Sequence, residues 1–194
     1  MLDAIRKNLE HAPRAPSAPS QLTLAAVLMP LLYKETDLHI LLTKRTQAVK
    51  AHKGQVSFPG GVHDPGDETL LATALREANE EIGISPEDVE VLGSLGPVTT
   101  ATSGFIVHTF VGQIPYPYPF RVSSKEVAEI LIVPYHFLAD ASHWYRRSLR
   151  ADERATDIYF VPYEGHLIWG ATARILKVFF ERTGIAMNIR PALG

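Results

Sequence analysis

The stretch Arg76-Glu77-Ala78-Asn79-Glu80-Glu81-Ile82-Gly83-Ile84 sets three carboxylates, Glu77, Glu80 and Glu81, at i, i+3 and i+4. On a helix that spacing gathers them into one arc of roughly 100°. Leu71, Leu75, Ala78 and Ile82 recur at helical intervals on nearly the opposite side. The pattern predicts a helix held to a core by one face and showing a dense negative patch with the other. Like charges at this spacing repel, so a cluster of three stores energy that a cation releases. Hard divalent cations such as Mg²⁺ take oxygen ligands, typically one or two carboxylates completed by water and substrate oxygens.

A solvated acidic helix carries the same spacing, but not the same surroundings. Phe58-Pro59-Gly60-Gly61 leads through an Asp- and Pro-containing loop, residues 62–67, directly into the helix, and Gly83 sits where a left-handed cap would end it. Glycines let a backbone carbonyl approach a ligand closely, so Gly60 or Gly61 can add an oxygen to the carboxylates. Just upstream, Arg45, Lys50, His52 and Lys53 form a basic cluster.

Residues 61–84 resemble a Nudix box, the signature of Mg²⁺-dependent hydrolases of nucleoside diphosphates linked to another group. The second half of that signature, R-E-x-x-E-E-x-G followed by an aliphatic residue, is complete from Arg76 to Ile84. The first half departs: fourteen residues, 62–75, separate Gly61 from Arg76, one more than the usual pattern. Asp67 or Glu68 fills the early acidic position, and Glu68 is favoured because it keeps helical spacing to Arg76. Leu41-Leu42-Thr43-Lys44-Arg45, then Lys50, Gly54 and Phe58-Pro59-Gly60-Gly61, resemble the extra motif of coenzyme A pyrophosphatases. Thr46 and Lys50 replace that motif's small residue and arginine. Together the two motifs span residues 41–84, under a quarter of the chain.

The resemblance implies an α/β fold, an α/β/α sandwich with a mixed β-sheet between helices, and Mg²⁺ or Mn²⁺ as cofactor. It implies hydrolysis of the pyrophosphate bond of coenzyme A, or of its thioesters or disulfide, to 3′,5′-ADP and (acyl-)4′-phosphopantetheine. Another nucleoside diphosphate derivative, such as ADP-ribose or a dinucleoside polyphosphate, is the alternative substrate; a non-catalytic binding module of the same fold is a third reading, disfavoured by the intact carboxylates. A divalent ion neutralises pyrophosphate oxygens and acidifies a bound water. By resemblance Glu77 and Glu81 are its first ligands, Glu80 follows, and the Gly61 carbonyl adds another. Arg76 pairs with an acid and orients the box. A further glutamate from outside the box commonly serves as base or extra ligand, which points to Glu126 and then Glu129; Glu80 or Glu81 can also serve. Arg45 and Lys50, helped by Lys53, are read as capturing the 3′-phosphate, with Gly60 beside the substrate.

The rest of the chain must position these groups. Residues 2–10 are expected to form a short helix and 11–20 a linker, followed by one domain, 21–194. Strands are expected at 22–33, 38–44, 55–58, 89–95, 105–114 and 130–133, a hairpin over 157–169, and a closing amphipathic helix at 171–183 with Ile175, Leu176, Phe179 and Phe180 inward. The net charge of −2 lacks the basic excess of a nucleic-acid binder. No run approaches the ~18 apolar residues of a membrane span, and residues 1–10 lack the apolar stretch of a secretory signal. The absence of cysteine excludes disulfides and thiolate chemistry and fits a cytoplasmic protein acting on a small molecule.

Overall fold

The computed structural model describes residues 1–9, 22–48, 52–99, 104–151 and 154–192. Leu2–Leu9 forms α1, with Ile5 and Leu9 buried. The expected linker, 11–20, lies outside the described residues. Two long strands follow, β1 (Thr23–Lys34) and β2 (Asp37–Arg45), paired antiparallel between Leu31–Ile40 and Lys34–Asp37. Beyond Leu31 they change partners. β2 takes β3 (Val56–Ser57), while β1 takes β4 (Gly60–Val62), with Ala26 opposite Gly61 and Val27 opposite Gly60. Pro30 falls between the two pairing blocks of β1 on this edge, where a missing N–H removes no ladder bond. The Gly60-Gly61 elbow is therefore itself a short strand, held in the sheet where β1 and β2 part.

The helix α2 (Leu70–Ile82) follows, then β5 (Glu90–Thr99), β6 (Phe105–Gln113) and β7 (Val127–Pro134). The seven strands make one sheet in the order β3-β2-β1-β6-β5, with β4 added to β1 and β7 to β2. The β1–β6 pairing is parallel and the others antiparallel, so the sheet is mixed. Along β1, Ala26, Leu28 and Leu32 pack with Ala74, Ala78 and Ile82 of α2. Met29 and Leu31 point the other way, toward Ile5 and Leu9 of α1 and Phe179 and Phe180 of α4 (Ala171–Arg182). This is the α/β/α sandwich that the sequence led one to expect. Strands buried on both faces read as near-continuous apolar runs, which is what makes 22–33 and 38–44 legible.

After β7 come α3 (Tyr135–Ala139), β8 (Tyr145–Ala151), β9 (Arg154–Tyr163), β10 (His166–Trp169) and, after α4, β11 (Arg190–Pro191). A second sheet, β10-β9-β8-β11, results. The expected hairpin is present, turning at Glu164-Gly165 with φ of 45° and 79°, both left-handed as a tight two-residue turn requires. β8 and α3 carry no signal in the sequence. Tyr145-Arg146-Arg147-Ser148-Leu149 lacks alternation, and its strand form comes from pairing with β9. Among the described residues no helix is long and apolar enough to cross a membrane.

Candidate active site

The acidic helix begins and ends as its sequence dictates. The Thr69 hydroxyl caps it by accepting the Ala72 N–H at 3.1 Å. Gly83 closes it in the left-handed conformation, φ 74°, donating its N–H to the Asn79 carbonyl. Small Ala74 and Ala78 let α2 lie close on β1, and the buried seam is Thr73, Ala74, Ala78, Glu81 and Ile82. That seam is rotated from the expected one, since Leu71 and Leu75 are only half-buried. The three carboxylates consequently do not form one solvent-facing patch. Side-chain exposure falls from 56% at Glu80 through 17% at Glu77 to 2% at Glu81.

Arg76 is the brace of this helix. Its Nε and Nη2 donate to the two oxygens of Asp67 at 2.9 and 3.0 Å, a paired fork-to-carboxylate contact. Its Nη1 reaches Glu77 at 3.0 Å and Glu80 at 3.0 Å. Asp67 also accepts the Thr73 hydroxyl and the Asp64 N–H. These donors, Arg76 foremost, hold the Asp67 carboxyl well below the usual carboxylate range. The early acidic position is thus Asp67, not the favoured Glu68, which is exposed. The loop folds back over the first turn of α2, where Asp67 meets Thr73, so contact with Arg76 follows the loop's path and not helical periodicity.

Glu81 and Glu77 face a cleft of about 550 Å³, together with Arg45, Gly60, Gly61 and Glu126. Gly61 is required by proximity: a Cβ there would lie 2.5 Å from a Glu77 carboxylate oxygen. At Gly60, φ is 153° and a Cβ would meet the Val27 Cα at 2.6 Å. Glu126 comes from far along the chain and is brought in by the end of α2. The Arg121 and Ser123 N–H groups donate to the Ile82 and Glu81 carbonyls at 3.0 and 2.8 Å, capping the helix with the segment that carries Glu126. On its other side, Thr46 N–H donates to the Glu126 carbonyl at 2.8 Å.

The electrostatics follow from burial. Glu81 is pushed up to about 7, chiefly by loss of solvent, against the pull of Arg45 and with repulsion from Glu77 and Glu126. Burial also raises Glu77, opposed by Arg76. Arg45 Nη1 lies 3.4 Å from Glu81 Oε1, yet Glu81 Oε2 and Arg45 Nε are buried with no hydrogen-bond partner. A buried oxygen without a donor is costly unless something else fills its lone pairs. No group of three or more His, Asp or Glu side chains closes around one point among the described residues. The donor set instead fits an octahedral ion with few protein ligands: the orphaned Glu81 oxygen, Glu77, and a backbone carbonyl at the glycine strand.

The other expected site residues fall apart from this cluster. Glu80 pairs with Arg76 and does not line the cleft. Lys53 is exposed and also outside it, and Lys50 lies outside the described residues. Glu129 contacts Lys44 and His166 instead. Tyr118 and Phe120 pack on each other, and the Tyr118 hydroxyl links Ser85 to Asp88. Sequence reasoning missed the facing wall, where Asp157, Ile158, Trp169 and Arg174 from β9, β10 and α4 line the same cleft. The hairpin and helix are legible in the sequence, but their approach to Glu77 and Glu81 is not.

Comparison with known proteins agrees with this architecture. The NUDIX domain model matches residues 22–152. A Nudix hydrolase, NudL, of Photorhabdus laumondii, described as uncharacterized, is 40% identical over 161 residues, covering 83% of this chain and 85% of the relative. Its counterpart in Yersinia pestis is 37% identical over 83% of this chain and 80% of the relative. Among solved structures, a MutT/nudix family protein from Enterococcus faecalis superposes with a TM-score of 0.52 at 17% identity, covering 92% of this chain and 68% of that one. The M. smegmatis Nudix hydrolase RenU gives 0.50 at 24% identity, covering 62% and 74%. Family match, relatives and fold agree, and the chain belongs to the Nudix hydrolases, enzymes that use divalent metal ions such as Mg²⁺ or Mn²⁺ to cleave pyrophosphate bonds in nucleoside diphosphate derivatives.

Proposed function

We propose that this Nudix hydrolase acts in the cytoplasm on coenzyme A or its thioesters or disulfide, releasing 3′,5′-ADP and (acyl-)4′-phosphopantetheine. One observation carries the reading: the segment resembling the coenzyme A motif, from Leu41 to Gly61, builds the cleft wall beside the carboxylates through Arg45, Gln55 to Phe58, Gly60 and Gly61. Glu77, Glu81 and the Gly61 carbonyl would hold the Mg²⁺ or Mn²⁺, with Glu80 at the outer edge of the set. The bound ion supplies charge neutralisation at the diphosphate and an acidified water. Arg76 keeps Glu77 in place. Arg45 brings positive charge to the substrate's phosphates and Gly60 leaves room beside them. Lys53, outside the cleft, would add charge only from beyond its lining, and Lys50 of the same motif would add to it. Glu126 receives the proton of the attacking water at its carboxylate. A glutamate is a weak base near neutrality, but the proton it takes is already acidified.

The test is a substrate panel at fixed metal concentration: coenzyme A, its acetyl thioester and disulfide, 3′-dephospho-coenzyme A, ADP-ribose and a dinucleoside polyphosphate, with products identified by mass. Coenzyme A or a derivative should give the highest kcat/KM, with 3′,5′-ADP as product. A tenfold preference for ADP-ribose or the dinucleoside would overturn the assignment.

A further inference from the structure

The wall of the cleft opposite the carboxylates lies beyond residues 22–152, the part shared with the NUDIX domain. Two of its side chains are placed to meet the substrate. Trp169 ends β10 and is 38% exposed, and its ring runs parallel to that of Phe160, with centroids 6.3 Å apart and an interplanar angle of 6°. Arg174 of α4 is exposed into the cleft and makes no ion pair among the described residues. Of the acids in the same lining, Asp157 is taken by Arg146 at 3.1 Å and by the Ser148 hydroxyl, and Glu81 has Arg45 beside it at 3.4 Å. Arg45 stands at the acidic end, where the scissile diphosphate must lie. A phosphate elsewhere on the substrate needs a different cation. Arg174 and Asp157 also line a groove of about 330 Å³, so there is room for such a group beside them.

We propose that this wall is the selectivity element of the site: Arg174 binds a phosphate beyond the scissile diphosphate, and Trp169 stacks on the flat ring next to it. The inference rests on the substrate reading above, in which those groups are the 3′-phosphate and the adenine of one nucleotide. It moves recognition of the extra phosphate from Arg45 to the opposite side of the cleft. Guanidinium suits this task because it offers paired donors to phosphate oxygens.

Binding measurements separate this inference from the choice of substrate. Affinities of 3′,5′-ADP and 5′-AMP, which differ only in the 3′-phosphate, would be measured by calorimetry for the wild type and for Arg174→Ala, Arg174→Lys, Trp169→Phe, Trp169→Ala and Arg182→Ala. The wild type should prefer 3′,5′-ADP by tenfold or more. Arg174→Ala should lose that preference, Arg174→Lys should keep part of it, and Arg182→Ala, which removes a charge of the same helix outside the cleft and the groove, should leave it intact. Trp169→Ala should weaken both nucleotides about tenfold, as loss of a stacking platform does, and nucleotide should quench indole fluorescence in the wild type but not in Trp169→Phe. Equal affinities in the wild type, or equal losses in Arg174→Ala and Arg182→Ala, would overturn the role of Arg174. Quenching that persists in Trp169→Phe would overturn that of Trp169. A failed substrate panel with the nucleotide preference intact discards only coenzyme A as substrate; turnover of coenzyme A without that preference discards only the Arg174 assignment.

Discussion

Replacing Glu81 by Gln tests whether this carboxylate is held protonated by its burial. In the folded protein burial pushes it up to about 7 from the ordinary glutamate value of 4.5. The native state therefore binds more protons than the unfolded chain between those values, and stability must fall as pH rises through this window. Integrated between pH 4.5 and 8.5, this difference in proton binding amounts to about 3 kcal/mol of lost stability. For a chain of this size that is roughly 6–12 °C in melting temperature. Urea unfolding would be followed from pH 4.5 to 8.5 in a chelator, for wild type and Glu81→Gln. Gln is neutral throughout, so its cost beside Arg45 is paid equally at every pH and cancels from the slope. His108 is shared by both proteins and cancels as well, whereas Glu77 and Glu126 repel Glu81, so the difference reads Glu81 together with its coupling to them. The expected outcome is a difference between the two curves that moves by about 3 kcal/mol in favour of the variant between pH 4.5 and 8.5. Added Mg²⁺ should stabilise the wild type progressively more as pH rises, since the ion takes the ionised carboxylate. Parallel curves would refute the claim that desolvation dominates at Glu81.

Three further outcomes follow from the same geometry. Asp67→Asn removes the charge that holds Arg76; kcat should fall and the melting temperature drop, whereas Glu68→Gln should match the wild type in both, and the reverse pattern would return the early acidic position to Glu68. Gly61→Ala forces a Cβ against the Glu77 carboxylate, so circular dichroism should stay native while kcat/KM at saturating metal falls about 100-fold, the scale expected for an ångström of misplacement. Glu126→Gln should lower kcat by about 100-fold or more with KM little changed, measured across a pH profile; a kcat within threefold of wild type would assign the base elsewhere.

The helix from Leu70 to Ile82, its Thr69 and Gly83 ends, the two long apolar strands and the 157–169 hairpin were all written locally, in periodicity and in residues with a single conformational use. So was the E-x-x-E-E helix face beside a Gly-Gly strand, the local pattern from which the proposed metal site is read. Tertiary structure decided which of these carboxylates face the cleft. Glu80 and Glu81 are adjacent in sequence, yet one is solvated and the other buried, because a 100° step around α2 carries a side chain from water to the sheet. It also decided the partner of Arg76, which depends on how a loop with one extra residue folds back, and it brought Glu126, Trp169 and Arg174 to the cleft across 45 or more positions. Local pattern constrains a residue's neighbours along the chain; burial and long-range approach are properties of the packed whole.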